Sequence, residues 1–216
     1  MSHHIAKESL GELVAEQLRR SIWNREFEFG ERLIESDLSE KFDVSRNTIR
    51  DALKILEYEE MVISKPRKGT YVSQFSKNDW QEIIELRSMV ESFAFVKALP
   101  YLEEQHFQDL ETILEQMKVQ TENQNWSDLF DLDMKFHRYV LNMSGNSRVI
   151  KLYDSIQVQI RTFLLHLDKY YSSHQSFYDE QKELLDALKT KNPKIVDEKI
   201  RTHIEYVEGQ FLGDVE

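Results

Sequence analysis

The sequence contains no cysteine. This absence excludes disulfide bonds, iron–sulfur clusters and catalysis by a thiol, and it is typical of a protein kept in a reducing compartment. The chain also lacks an apolar run long enough to span a bilayer, and its mean hydropathy is −0.58. Its first residues, Met1-Ser2-His3-His4, include no hydrophobic signal region. We therefore expect a cytoplasmic protein with no membrane partner.

Positive charge is also scarce. The 216 residues include 28 basic and 39 acidic side chains, which gives a net charge of −11. The acidity is uneven, because residues 1–76 carry a net charge of −2 and residues 77–216 carry −9. Binding to DNA requires only a local basic face, so the first part of the chain remains a candidate. The length accommodates one large domain or two modest ones.

Residues 36–58 are predicted to form two short helices joined by a tight turn. The turn falls at residues 43–45, and Ser45 is well suited to cap the second helix. Two helices joined in this way form a helix-turn-helix, whose second helix can enter a DNA major groove. The apolar residues with helical spacing are Leu38 and Phe42 in the first helix and Ile49, Leu53 and Leu56 in the second.

The first turn of the second helix carries side chains that suit base edges. Arg46 and Arg50 can each form a bidentate contact with guanine. Asn47 can pair with adenine, and the methyl group of Thr48 can contact thymine. The alternative is an ordinary helical hairpin with a solvated polar face, and this stretch alone does not decide between the two.

The residues that follow favour DNA binding. Two β-type runs at residues 61–65 and 70–73 flank a turn, which predicts a hairpin with a basic tip. Arg67 and Lys68 at this tip would lie on phosphates or in the minor groove, and Gly69 allows a close approach of the backbone. A helix-turn-helix followed by such a hairpin is a winged helix.

Three ordered segments carry a family resemblance: Gly30-Glu31-Arg32-Leu33, residues 44–53 (VSRNTIRDAL) and Gly69-Thr70-Tyr71-Val72. They resemble the DNA-binding domain of GntR-type bacterial transcription regulators, with Asp51 in place of the usual glutamate and Lys68 where a wing arginine is common. The resemblance covers roughly residues 7–75. It implies DNA contacts from Arg32, Ser45, Arg46, Asn47, Thr48, Arg50, Arg67, Lys68 and Gly69.

The rest of the chain is predicted to be helical. Six amphipathic segments follow a polar joint at residues 75–78, and such a series folds as an antiparallel bundle. The sequence therefore predicts a mainly α protein, with a winged helix-turn-helix domain over residues 1–76 and a six-helix antiparallel bundle over residues 77–216. The predicted helices are Asp79–Leu99, Glu103–Asn123, Trp126–Asn142, Ser147–His166, Ser173–Lys189 and a last one that opens with Asn192 and Pro193.

The bundle carries a second resemblance, in the order of its polar residues. Those residues are Glu85, Arg87 and Glu91, then Asp133 and His137, then Ser144-Gly145-Asn146, Arg161 and His203. The order is similar to that of the FCD effector domain of the FadR subfamily, and six helices are typical of its smaller, VanR-like group. In that family an aspartate and three histidines bind a divalent metal, which helps to hold a carboxylate ligand.

The resemblance implies a metal site formed by Asp133, His137 and His203. The third family histidine would fall at position 181, where this chain has Gln181. An amide is a much weaker ligand for zinc or nickel than an imidazole, so we expect weak or partial occupancy by such a metal. The implied contacts with the effector are made by Arg87, Asn146, Arg161 and Gln181.

The roles of these polar residues have structural alternatives. Arg87 and Arg161 can clamp an organic acid with bidentate hydrogen bonds, or they can neutralise Asp133 and other acidic residues. Asp133 and His137, four residues apart, can both reach one ion or can form a plain pair on a helix surface.

The function that fits both halves is a homodimeric transcription regulator, more often a repressor in this family than an activator. It would bind a near-palindromic double-stranded operator and respond to a small carboxylate effector. One alternative is a metal-dependent enzyme acting on small acids through Asp133, His137 and His203, with a fused DNA-binding head. Another is a dimeric regulator without an effector. The sequence identifies neither the operator nor the effector.

Overall fold

A computed structural model describes residues 9–167 and 173–213, without the side chains of residues 166, 167 and 206–213. The chain divides into two compact units, residues 1–74 and 75–216. The described part is mainly helical, with one small sheet. The predicted fold class, a winged helix-turn-helix followed by a helical bundle, is confirmed.

The first unit is a winged helix. Its described helices are α1 (Leu10–Trp23), α2 (Glu35–Lys41) and α3 (Arg46–Tyr58). Its strands are β1 (Arg32–Leu33), β2 (Val62–Lys65) and β3 (Gly69–Val72), in the antiparallel order β1-β3-β2. Helix α1 packs against α3, and α3 also contacts α2 and β2. The small core of this unit includes Leu18, Ile22, Leu38, Ile49, Ala52, Leu56 and Val72.

Two details of the first unit differ from the predictions. Strand β1 was not expected, because two residues are too few to show an alternating pattern; it pairs Arg32 with Tyr71 and Leu33 with Thr70. The helical spacing of the apolar residues in this segment predicts Leu10 and Leu13 on the buried stripe of α1, yet they are 55% and 47% exposed. The buried face of α1 is formed instead by Val14, Ala15, Leu18 and Ile22.

The second unit is a bundle, and its described part contains six long helices. Helix α4 packs against α6, α7 and α9, while α5 lies against α6 and α8, and α8 lies against α9. The side chain of Ser76 caps α4 by accepting a hydrogen bond from the Asp79 backbone, and α4 ends at Ala98, two residues before Pro100. The helices are α4 (Lys77–Ala98), α5 (Glu104–Glu122), α6 (Trp126–Met143), α7 (Ser147–Leu167), α8 (His174–Lys189) and α9 (Pro193–Gly213), with a short 3-10 turn at Leu99–Tyr101.

Helix α4 is the central helix of the bundle, and it buries both apolar and charged side chains. It buries Trp80, Ile84 and Phe95, and it also buries Arg87 and Glu91, which are charged. Ionised side chains are almost never fully buried without a partner. The two charged residues therefore mark the part of the bundle where a functional site can be expected.

Candidate functional site

Helix α3, the second helix of the helix-turn-helix, starts with a side-chain cap. Ser45 accepts a hydrogen bond from the Thr48 backbone at 3.1 Å, and the two hydroxyl oxygens are 2.9 Å apart. This cap fixes the first turn, on which Arg46 and Asn47 are exposed. Arg50 is also exposed, and its Nε donates to Glu35 of α2 at 2.8 Å. The structure thus presents Arg46, Asn47 and Arg50 on the surface of one helix.

The wing is the β2–β3 hairpin, and Arg67 and Lys68 at its tip are exposed. Arg67 has a φ of 61°, while Gly69 has a φ of 104°, in a region that side chains rarely tolerate. The absence of a Cβ at Gly69 has a second consequence. A Cβ there would lie 3.0 Å from Nε of Arg32, so the guanidinium of Arg32 on β1 rests directly against the wing. Strand β1 therefore places Arg32 beside the wing tip.

In the bundle, four buried charged side chains form a closed ring. Arg87 donates from Nε to Oε1 of Glu91 at 2.7 Å, and Oε2 of Glu91 is 2.5 Å from Nδ1 of His137. The Nε2 atom of His137 is 3.4 Å from Oδ1 of Asp133. Oδ2 of Asp133 is in turn 3.8 Å from Nη2 of Arg87. All four residues are at most 5% exposed.

His203 of α9 extends this ring. Its imidazole stacks on that of His137 with ring centroids 5.1 Å apart, and its Nε2 is 4.0 Å from Oδ1 of Asp133. Two imidazole nitrogens and one carboxylate oxygen, contributed by α6 and α9, therefore face the same point. The structure brings together Asp133, His137 and His203, which the resemblance had indicated from residues up to 70 positions apart.

The charges in this cluster are strongly coupled. Burial opposes ionisation of Asp133, but the positive charges of His137 and Arg87 outweigh it and lower its pKa to about 2. Burial likewise opposes protonation of His137, yet Glu91 and Asp133 raise its pKa to about 9. Burial and repulsion by His137 lower the pKa of His203 to about 3. At neutral pH, therefore, His137 is an imidazolium and His203 is a neutral imidazole.

The cluster suits a divalent cation. The candidate ligand atoms of Asp133, His137 and His203 all lie within 4.8 Å of one another. Ligands at zinc distances in a tetrahedral site are about 3.3 Å apart, so the Asp133–His137 pair already has the required spacing and His203 would need only a small approach. Both Asp133 oxygens and Nε2 of His137 are buried and make no hydrogen bond within the described residues. Their donor set fits zinc or nickel.

Gln181 on α8 is completely buried. In the part of the chain that the structure describes, neither its amide oxygen nor its amide nitrogen makes a hydrogen bond. A buried amide without a partner is costly, because it loses its hydrogen bonds to water. Gln181 therefore has hydrogen-bonding capacity that the described residues leave unused.

The other two residues expected to contact the effector have protein partners. Arg161 of α7 donates from Nε to Asp131 at 2.6 Å and from Nη2 to the Ser127 carbonyl at 2.9 Å, and its guanidinium lies over the Phe130 ring. Asn146 accepts backbone hydrogen bonds at the start of α7 through its Oδ1. Arg87 thus contacts the cluster of Asp133, His137 and His203 directly, while Arg161 interacts electrostatically with Asp133 and also has partners of its own.

Three residues near the cluster have no role that the sequence alone would indicate. Glu91 was noted only as part of the pattern, although its position four residues after Arg87 allows the ion pair that is observed. Tyr153 is completely buried and donates to the sulfur of Met134 at 3.9 Å, a weak acceptor. Glu180 lies beside His203, and its Oε2 is 3.8 Å from Nδ1. Nothing in the spacing of Tyr153 or Glu180 distinguishes them from ordinary helix residues.

Comparisons with known proteins support both halves of this description. Residues 10–72 match the gntR family of bacterial regulatory proteins, and residues 82–206 match the FCD domain. The chain belongs to the GntR family of transcription regulators and carries an FCD domain. This membership makes it a DNA-binding regulator and not the metal-dependent enzyme considered as an alternative.

Relatives and solved structures agree with the assignment to the GntR family. The chain is 27% identical to the gluconate operon transcriptional repressor of Bacillus licheniformis, over 95% of this chain and 86% of the relative. The identity and both coverages are the same for the repressor of that name in Bacillus subtilis (strain 168). A GntR transcriptional regulator from Rhodococcus sp. RHA1 has a TM-score of 0.83 and 25% identity, over 97% of this chain and 100% of the other. The likeness to this solved structure therefore includes both the winged helix and the helical bundle.

None of the helices that the structure describes has the length and apolar content needed to cross a bilayer.

Proposed function

We propose that this GntR-family regulator is a homodimeric repressor that acts in the cytoplasm. In this proposal residues 1–76 bind a near-palindromic operator, and residues 77–216 hold a small carboxylate effector and form the dimer. The observation that supports effector binding is the buried polar cluster of the bundle, which contains more charged and polar atoms than its own hydrogen bonds satisfy. A bundle that served only as a dimerisation module would have no use for such a cluster.

Metal binding is the first part of this proposal. Asp133, His137 and His203 supply three ligands, and three protein ligands leave open positions for water or for an effector carboxylate. Because Gln181 replaces an imidazole, binding of zinc or nickel is weak or partial. When bound, the metal supplies a positive charge that attracts an anionic group of the effector.

The effector is proposed to be a small hydroxylated carboxylate. Nη2 of Arg87 makes no hydrogen bond within the described residues, and a guanidinium suits a carboxylate. Gln181 offers one acceptor and at least one donor to hydroxyl groups. Arg161 and Asn146 remain candidates from their family positions, although both have protein partners. Gluconate is the first compound to test, because two relatives bear the name of the gluconate operon.

The dimer is proposed to form through the exposed face of α4. Met89 and Phe93, one turn apart, are 62% and 52% exposed, and they line a groove whose other side is formed by α9. Large apolar side chains this exposed, next to each other, are typical of contact surfaces. Because they are already about half buried, covering them with a second copy would stabilise the dimer by less than the roughly 1.5–3 kcal/mol of a fully exposed side chain.

One experiment tests the proposed function directly. An operator is first selected from random duplex DNA with the full-length protein, and its affinity is then measured with and without zinc and gluconate. We expect salt-sensitive, sequence-specific binding that weakens when gluconate and zinc are both present. Binding that is specific but indifferent to a panel of small acids would contradict effector control and would favour the effector-free regulator.

A further inference from the structure

Each imidazole of the candidate metal centre has a carboxylate at its outer edge. His137 and His203 both direct Nε2 towards Oδ1 of Asp133, at 3.4 Å and 4.0 Å. The opposite nitrogen, Nδ1, of His137 faces Glu91, and the Nδ1 atom of His203 faces Glu180. The two carboxylates are contributed by α4 and α8, neither of which provides one of the three ligands.

The Glu91 side chain is held in place from both sides. It is completely buried, and its Oε1 accepts a hydrogen bond from Arg87 one helical turn earlier. Its Oε2 is therefore directed at Nδ1 of His137, at 2.5 Å. Because an imidazole that donates from Nδ1 leaves Nε2 free of a proton when neutral, Glu91 determines which nitrogen of His137 can accept a metal.

Glu180 has the same position behind His203 but a looser contact. Its Oε2 is buried and makes no hydrogen bond within the described ranges, and it is 3.8 Å from Nδ1 of His203. That distance exceeds a hydrogen bond, so Glu180 constrains His203 less than Glu91 constrains His137. His203 is also the ligand that must approach Asp133 when a metal binds, because its Nε2 is the more distant.

We propose that Glu91 and Glu180 are positioning residues of the metal centre, which hold Nδ1 of His137 and His203 so that both Nε2 atoms face the metal. This inference rests on the metal binding that is part of the proposed function. It adds two residues from two further helices to the site. Carboxylates behind metal-bound histidines fix the tautomer and the ring orientation, and their loss typically costs roughly 10–100-fold in metal affinity.

Zinc titration of full-length variants by calorimetry, with a competing chelator, tests this inference. Glu91→Gln keeps the shape of the side chain and should weaken zinc binding roughly 10–100-fold. Glu85→Gln is the matched control, since Glu85 is exposed on the same helix, and it should bind zinc like the wild type. Glu180→Gln should weaken binding by a smaller factor, with Asp186→Asn at an exposed residue of α8 as its control.

A second measurement needs only the wild-type protein, so it does not depend on the folding of a variant. The protein is labelled with nitrogen-15 and loaded with cadmium-113, and the coupling between metal and imidazole identifies the bound nitrogen. We expect Nε2 to be bound in both His137 and His203, with a retained, strongly shifted proton on Nδ1 of His137.

The outcomes separate this inference from the proposal on which it rests. Metal bound through Nδ1, or zinc affinity unchanged in both Glu91→Gln and Glu180→Gln, would overturn the positioning roles and leave metal binding intact. A wild-type protein that binds neither zinc nor cadmium would overturn metal binding and the positioning roles together. Weaker binding in the two variants, with unchanged controls and coupling through Nε2, is the expected result.

Discussion

His137 lies at the centre of the electrostatics of the bundle. Glu91 and Asp133 place two negative charges next to Arg87, so the ring of side chains lacks one positive charge. In the metal-free protein the imidazolium form of His137 supplies that charge, because both carboxylates raise its pKa to about 9. The proton on Nε2 occupies the direction in which a metal ion would bind. Protonation and metal binding at His137 are therefore mutually exclusive.

This competition predicts how metal binding depends on pH. With pKa values of about 2 for Asp133 and about 3 for His203, these two ligands are already deprotonated at neutral pH. Of the three ligands only His137, with a pKa of about 9, must lose its proton, so zinc affinity should rise about tenfold per pH unit between pH 6 and 8. Ionisation of Glu180, whose pKa burial raises to about 7, adds to that rise. Calorimetry in buffers of different ionisation enthalpy should detect about one proton released per zinc ion. Release of none at pH 7 would show that His137 either is not a ligand or is already neutral in the metal-free protein.

Position 181 offers a test of the ligand set. Gln181→His should tighten binding of zinc and nickel, because an imidazole replaces a buried amide that is a poor ligand. Gln159→His, at another buried glutamine of the bundle, is a suitable control and should leave metal affinity unchanged. The measurement is a competition titration of metal-free protein. Equal affinity of the wild type and Gln181→His would mean that residue 181 is not directed at the metal.

At the scale of single elements, α3 could be predicted closely because its cap and apolar spacing are local signals. Ser45 and the buried residues Ile49, Leu53 and Leu56 follow the expected pattern. Strand β1 could not be predicted, since a strand of two residues exists only through its pairing with β3. For the same reason the sequence could not show that Arg32 rests against Gly69, which are 37 positions apart.

Helix α3 and the wing should make different contributions to DNA binding. Arg46→Ala should cost about 1–3 kcal/mol of specific binding, the value of a good base contact, and should relax base preference at one position of the operator. Arg67→Ala at the wing tip should weaken binding to all sequences and reduce its dependence on salt. Fluorescence anisotropy on the operator and on a scrambled duplex separates the two effects. A base-selective effect of Arg67→Ala would contradict its contact with phosphate.

Because Arg32 of β1 lies so close to Gly69 of the wing, adding a single methyl group at Gly69 should affect operator binding. Gly69→Ala should weaken operator binding, because its Cβ would meet Arg32 at 3.0 Å and because a φ of 104° is strained for alanine. The wing or the arginine must then move. Thr70→Ala, at the next residue of β3, is the control and should bind the operator nearly as the wild type does. Unchanged binding by Gly69→Ala would show that the wing does not need this contact.

For the molecule as a whole, the sequence predicts the fold but not the buried ring of charged side chains. Composition and periodicity predicted a winged helix followed by a helical bundle, since amphipathic helices with short connections have few ways to pack. The ring of Arg87, Glu91, Asp133 and His137 joins α4 to α6 and depends on which helices pack together. Asp133 and His137 were found from the family pattern, whereas the role of Glu91 required the packed structure.

The exposed face of α4 leads to a prediction about assembly. Phe93→Arg in the full-length protein should produce monomers, because it places a charge in a contact that would otherwise be apolar. Leu152→Arg on α7 is the matched control, since Leu152 is a similarly exposed apolar residue, at 44% against 52% for Phe93, but lies on another helix. Sedimentation velocity at several concentrations distinguishes monomer from dimer.

Operator binding provides the second measurement for this variant. In a dimer, binding of one winged-helix domain to its half-site raises the effective concentration of the second domain at the other half-site. A monomeric Phe93→Arg should therefore lose much of its affinity for the full operator. Its affinity for a single half-site should equal that of one winged-helix domain of the wild type, because the α3 surface is unchanged. If Phe93→Arg remains a dimer while Leu152→Arg dissociates, then the dimer forms through α7 and not through the groove between α4 and α9.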